Sequence, residues 1–311
     1  MNPSRSTGAQ PALQGNAAII TGGGRGIGEA VALAFAREGA RVVLAARTAT
    51  ELERVAVKVR EIGGEVRIVP ADVARPEDVD RVTRAALDAY GRIDALVNAA
   101  GILGPVGRVW EVDEGDWAQA LQVNLYGTFL CCRAVLPHMV ARRAGKIVNF
   151  SGRGATSPFP RFSAYAVSKV AVVRLTETLA EEVRDHNIQV NAIAPGMVDT
   201  RMQDHVLAAG ERAGTELRRI RKLRDAGEGG VPADLAAQLT VFLASHKSDG
   251  LTGKLIAAPY DGWQSWDAAR ILELMAAPWL TIRRLDDFTL RPLLGQFADH
   301  RESPPDAGDL R

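Results

Sequence analysis

Asn16-Ala-Ala-Ile-Ile-Thr-Gly-Gly-Gly-Arg-Gly-Ile-Gly28 decides how this 311-residue chain is read. A short apolar run over 16–20 breaks into a glycine turn, and a helical pattern follows from Glu29 to Glu38. Strand, glycine turn and helix together are the setting a phosphate-binding turn needs. Glycines let the backbone come close to a pyrophosphate, and the helix start offers free N–H groups and a positive dipole end. Gly22, Gly26 and Gly28 give the spacing G-x-x-x-G-x-G, with Gly24, Arg25 and Ile27 completing the turn. That differs from the G-x-G-x-x-G of two-domain dehydrogenases.

Working outward, strand and helix patterns alternate. Arg41 to Ala45 is nearly all apolar, as a strand buried on both faces should be. Helices are expected at Glu51–Ile62 and Pro76–Tyr90, and strands at Val66–Pro70 and Asp94–Val97. The alternation predicts an α/β fold: three layers around a doubly wound parallel sheet of about seven strands. Ligands in such sheets lie beyond the carboxyl ends of the strands. The glycine turn, Arg47, Asp72–Val73 and Asn98–Gly101 all fall at that edge. No acid follows the second strand to hold a ribose 2′-OH; Arg47 stands there, able to pair with a 2′-phosphate. NADP(H) is therefore favoured, with NAD(H) as the alternative.

Bulk composition narrows the field without naming an activity. A net charge of +1 gives no field favouring nucleic acid. No apolar run is long enough to span a membrane. Cys131 and Cys132 are adjacent, so they read as small buried helix residues rather than a disulfide framework, in keeping with a reducing cytoplasm. Residues 1–15 read as a flexible leader.

The second half carries the reactive side chains. A long helix is expected from Asp116 to Ala141 with Asn124 inside it. A fifth strand ends at Ser151, and a Gly- and Pro-rich loop leads into a helix from Ala164 to Arg184. That helix contains Tyr165-Ala-Val-Ser-Lys169, whose phenol and ammonium share one face. A neighbouring positive charge lowers a phenol pKa, which would make Tyr165 a poised acid/base. A sixth strand at Ile188–Ile193 runs into Pro195-Gly196.

Thr21-Gly-x-x-x-Gly-x-Gly28, Asn98-Ala-Ala-Gly101, Asn124, Tyr165-x-x-x-Lys169 and Pro195-Gly196 together resemble the short-chain dehydrogenase/reductase family, in order and spacing over about 16–258. The resemblance implies a single Rossmann-type domain, NAD(P)-dependent alcohol–carbonyl chemistry on a small molecule, and a homodimer or homotetramer. It implies Tyr165 as acid/base, Lys169 lowering the tyrosine pKa and holding the nicotinamide ribose, and Asn124 in a water-linked proton path. Asn98, Ala99 and Gly101 would line the cofactor cleft. Asp72 and Val73 would meet the adenine, with Pro195, Gly196, Val198 and Thr200 near the nicotinamide. The chain departs from the family at the hydroxyl thirteen positions before the tyrosine, where Gly152 stands. Either Ser151 supplies the catalytic hydroxyl, the favoured reading, or Ser163 or backbone N–H groups do.

Residues 197–230 form the variable substrate cover. Their arginines read either as a solvated face or as a receptor for an anionic substrate, and Arg153 and Arg161 carry the same ambiguity. The chain continues past the family's usual end, with Trp263, Trp266 and Trp279 in an extension over 259–300 expected to pack on the domain, before a loose tail at 301–311. A polyol, sugar-like or cyclitol alcohol is the expected substrate. A 3-oxoacyl reductase is the alternative within the class, and a weakly active NADP-binding regulator the alternative outside it.

Overall fold

The computed structural model describes residues 10–226 and 230–282. The tail at 301–311, most of the leader, the end of the extension and positions 227–229 of the substrate cover lie outside the described residues.

Seven parallel strands run β1 (Ala17–Thr21), β2 (Arg41–Ala46), β3 (Val66–Pro70), β4 (Ala95–Asn98), β5 (Gly145–Phe150), β6 (Ile188–Ala194) and β7 (Leu255–Ala257). Their spatial order is β3-β2-β1-β4-β5-β6-β7. The order reverses direction beside β1, which makes the crevice between β1 and β4 the topological switch point. Central strands are apolar throughout because both faces are covered: β1 and β4 are buried along their whole length.

One face carries α1 (Gly26–Arg37), α2 (Ala49–Glu61) and α9 (Ala233–Ala244). The other carries α3 (Pro76–Tyr90), α5 (Gly127–Arg142) and α6 (Ser163–Glu182), where Cys131 and Cys132 are buried. Two helices, α7 (Arg201–Ala209) and α8 (Thr215–Asp225), rise above the carboxyl edge as a lid.

The long helix expected around Asn124 is interrupted. α4 (Glu114–Leu121) passes into a π turn at Gln122–Tyr126 before α5 begins. A π turn admits one extra residue and re-aims a side chain, a device found at functional sites. Asn124 sits in it and is buried.

Past β7 the chain folds back on the sheet. Trp263 packs on Phe242 of α9 with ring centroids 5.7 Å apart and donates its indole N–H to Ala258 O. α10 (Ala268–Ala276) buries Ile271 and Leu274 in the same layer. The buried Lys254 ammonium donates to the carbonyls of Ala277 at 3.0 Å and Trp279 at 3.1 Å. Leu255 N–H donates to Leu280 O, so the extension follows the outer edge of β7.

Candidate active site

A cleft of about 520 Å³ opens at the carboxyl edge between the glycine turn and the lid. Gly22 (φ +68) needs the left-handed region, and a Cβ there would stand 2.8 Å from Ala100 N. A Cβ at Gly28 would overlap the carbonyl oxygen of Gly22. The turn is thus closed as tightly as backbone allows. No side chain caps α1, so its leading N–H groups remain for an anion. Cleft size, glycine cradle and uncapped helix fit a dinucleotide.

Of the expected cofactor residues, Gly24, Arg25, Gly26, Ile27, Arg47, Asp72, Val73, Ala99, Gly101 and Thr200 line the cleft with Gly22 and Gly28. Asn98 does not. Its amide is buried in the sheet and donates to Asn149 Oδ1 at 2.9 Å. Gly196 takes φ +82 because a Cβ would crowd Val231 and Pro259, and Val198 is buried in a bridge to Val231. Neither they nor Pro195 line the cleft; they shape the strand-to-lid turn. Thr48, Glu51, Arg201 and His205 line it without having been singled out from the sequence. Thr48 directly follows Arg47 and Glu51 lies four positions on, the one available clue.

Tyr165, Lys169 and Asn124 come together beside the cleft, behind Gly101; Tyr165 and Lys169, expected to touch the cofactor, do not line it. The Lys169 ammonium lies 5.5 Å from the Tyr165 ring centroid and donates to Phe150 O at 2.8 Å. Asn124 Oδ1 accepts from Ile102 N–H while Nδ2 donates to Ile102 O, both at 2.8 Å, and Nδ2 also reaches Ser168 Oγ at 2.9 Å. A Cβ at Gly101 would come within 3.2 Å of Asn124 Oδ1 and 3.5 Å of Lys169 Nζ, so this glycine lets the β4 turn close on both.

Burial reverses the expected direction of the phenol's shift. Desolvation pushes Tyr165 up to about 12 and brings Lys169 down to about 8. The ammonium does not pull the phenol down here because its short contact is to the Phe150 carbonyl, not to the hydroxyl.

The hydroxyls near Tyr165 are both engaged. Ser151 Oγ is buried and donates to Lys169 O at 3.2 Å. Ser163 lies two residues before Tyr165 on α6, roughly 200° around the helix, and its Oγ accepts from the Trp117 indole at 3.1 Å. At Gly152, a Cβ would overlap the Tyr165 hydroxyl. The phenol thus occupies the space a side chain at 152 would fill.

Above the tyrosine lies an apolar cluster of Leu103, Val106, Phe162 and the lid residues Val206, Ala209, Ala213, Leu217 and Ile220. The lid residues recur at spacings of three and four, a helical apolar stripe that was legible in the sequence beneath its arginines. The arginines themselves are exposed or bonded within the protein. Arg153 pairs with the buried Glu216 and lies over the Phe159 ring, Arg161 donates to Arg212 O, and Arg224 pairs with Asp204. Arg153 and Arg161 fasten the loop before Tyr165 to the lid.

The model of the short chain dehydrogenase family matches residues 16–210. The chain belongs to the short-chain dehydrogenases. This dehydrogenase is 36% identical over 244 residues to the 3-oxoacyl-acyl-carrier-protein reductase FabG of Thermotoga maritima, covering 78% of this chain and 96% of that protein. It is 39% identical over 246 residues to 3beta-hydroxysteroid dehydrogenase 1 of Eggerthella lenta, covering 78% and 91%. Among solved structures it is similar to levodione reductase, with a TM-score of 0.74 at 28% identity over 81% of this chain and 98% of that one. NAD⁺-bound xylitol dehydrogenase matches with a TM-score of 0.74 at 29% identity, over 79% and 98%. The dehydrogenase is an oxidoreductase of alcohols and ketones that uses NAD(P). Among the described residues, no helix is long and apolar enough to cross a membrane.

Proposed function

We propose that this dehydrogenase interconverts a secondary alcohol and an apolar, ring-bearing ketone with NADP(H). The convergence of Tyr165, Lys169 and Asn124 beside the dinucleotide cleft carries this reading. A bound NADP(H) supplies the hydride to the carbonyl carbon, or NADP⁺ takes it in reverse. Tyr165 gives its proton to the oxygen that becomes the alcohol. Lys169, brought down to about 8, is matched to hand on a proton near neutral pH. Asn124 holds the Ile102 backbone and Ser168 so that the three groups keep their spacing.

Arg47 supports the phosphorylated cofactor. It lines the cleft at the end of β2, and no ion pair engages it among the described residues. The apolar cluster over the phenol supports an apolar substrate rather than the polyol expected from the sequence. The name of the hydroxysteroid enzyme points the same way, whereas that of xylitol dehydrogenase points to a polyol.

With Ser151 bonded to Lys169 O, the substrate oxygen is held by the phenol and by backbone N–H groups of the 152–154 turn. Initial rates of NADPH and NADH oxidation would be measured over cyclic ketones, sugar ketones and 3-oxoacyl thioesters. Cyclic ketones should turn over fastest with NADPH, and Tyr165→Phe should abolish the rate. Preference for sugar ketones or thioesters sinks the substrate reading; equal rates in Tyr165→Phe sink the catalytic one. Ser151→Ala should keep its rate within about threefold, whereas losing an oxyanion donor would cost on the order of 10²–10³.

A further inference from the structure

Glu51, on the first turn of α2, holds two arginines on one oxygen at the mouth of the cleft. Its Oε1 accepts from Arg25 Nη1 at 3.3 Å and from Arg201 Nη1 at 2.9 Å. The partners come from opposite sides: Arg25 belongs to the glycine turn, and Arg201 is the first residue of lid helix α7. All three line the cleft, as does Arg47. Three guanidinium groups and the carboxylates Glu51 and Asp72 thus line the cleft, a local surplus of one positive charge. Asp199, a further carboxylate in the lining, is drawn away by Arg224.

We propose that Glu51 is a placeholder anion and Arg201 a positioning residue, which together make lid closure respond to the cofactor's 2′-phosphate. The inference rests on the NADP(H) reading above. A phosphate monoester carries about −1.5 to −2 charge and offers several acceptor oxygens. Bound beside Arg47, it competes with Glu51 for Arg25. Glu51 then serves Arg201 alone, and the start of α7 is drawn onto α2 across the cleft. A cofactor without that phosphate leaves Glu51 shared, and the lid is held less firmly. Coupling of this kind is reciprocal: a pair that tightens when the phosphate binds also tightens the binding of the phosphate.

The test is calorimetric titration of the full-length enzyme with NADP⁺ and with NAD⁺, in wild type, Arg201→Ala and Arg201→Lys. Hydrogen exchange of the 201–209 segment would be followed in each saturated complex. Arg201 is largely exposed, with 68% of its side chain accessible, so its loss should leave the fold intact. Arg201→Ala should weaken NADP⁺ relative to NAD⁺ by about fivefold, the scale of one surface ion pair, and Arg201→Lys should restore part of it. The segment should exchange more slowly with NADP⁺ than with NAD⁺ in wild type only. A wild type preferring NADP⁺ with an unchanged affinity ratio in Arg201→Ala overturns this inference alone. A wild type that binds both dinucleotides equally overturns the NADP(H) reading and this inference with it.

Discussion

Lys169 is a buried cation whose nearest acceptor is a single backbone carbonyl, Phe150 O. Its pKa falls from 10.5 to about 8 through desolvation, so the folded state binds fewer protons than the unfolded chain between those values. The contribution of Lys169 to the stability of the cofactor-free protein therefore rises with pH from about 8 to 10.5. Tyr165, raised from 10.0 to about 12, has the opposite consequence: its contribution is complete below pH 10 and is lost as pH climbs towards 12. Below pH 8 the enzyme carries the cost of an ammonium held for chemistry, on the order of 3 kcal/mol. Lys169→Met should remove that cost, raising the melting temperature at pH 7 while abolishing turnover. Thermal scans from pH 6 to 10 check this: wild type should gain stability relative to the variant as pH rises above about 8. The sequence placed the phenol and ammonium on one face correctly. It misjudged the phenol's direction because charge spacing along a helix is visible in a sequence and desolvation is not.

At the scale of elements, the π turn between α4 and α5 aims Asn124 at the β4 turn. The residue is visible in the sequence, but the extra residue in the helical ladder has no local sequence signal. Asn124→Leu keeps the volume and removes both bonds to Ile102, leaving its N–H and C=O without their partners. Each buried loss costs about 1–3 kcal/mol, so the variant should lose about 2–4 kcal/mol in urea unfolding as well as its activity. Loss of activity with stability unchanged would mean that Ile102 is held by other contacts. The glycine turn, by contrast, could be read to the residue: Gly28 closes on Gly22 within one local motif, although Gly22 also meets Ala99 and Ala100 of the β4 turn. The lid could be read only in part. Its apolar stripe was present at helical spacing, but the arginines left open both a solvated face and a receptor for an anionic substrate. Their partners, such as Glu216 for Arg153, are distant in sequence and become evident only when the chain is folded.

At the scale of the whole molecule, the sheet order and the two covering layers follow from alternating apolar strands and amphipathic helices, which is why they were legible. The course of residues 259–282 was not. It depends on Phe242, Lys254 and Glu177, residues of the main domain that meet the extension. Ile282 N–H donates to Glu177 Oε1 at 2.8 Å. Trp263→Ala would open a cavity against Phe242 and leave the Ala258 carbonyl without its indole donor. A loss of about 3–5 kcal/mol is expected by chemical denaturation, with the cofactor affinity of the surviving folded protein unchanged. A fall in cofactor affinity at full folding would show that the extension shapes the cleft directly.

The Lys254 seam also orders events in time. Its acceptors, the carbonyls of Ala277 and Trp279, leave the ribosome some twenty-five residues after the lysine does. Until they arrive, two of the carbonyls that take up the ammonium at the margin of β7 are missing. These two bonds close the β7 edge only after residue 279 has left the ribosome.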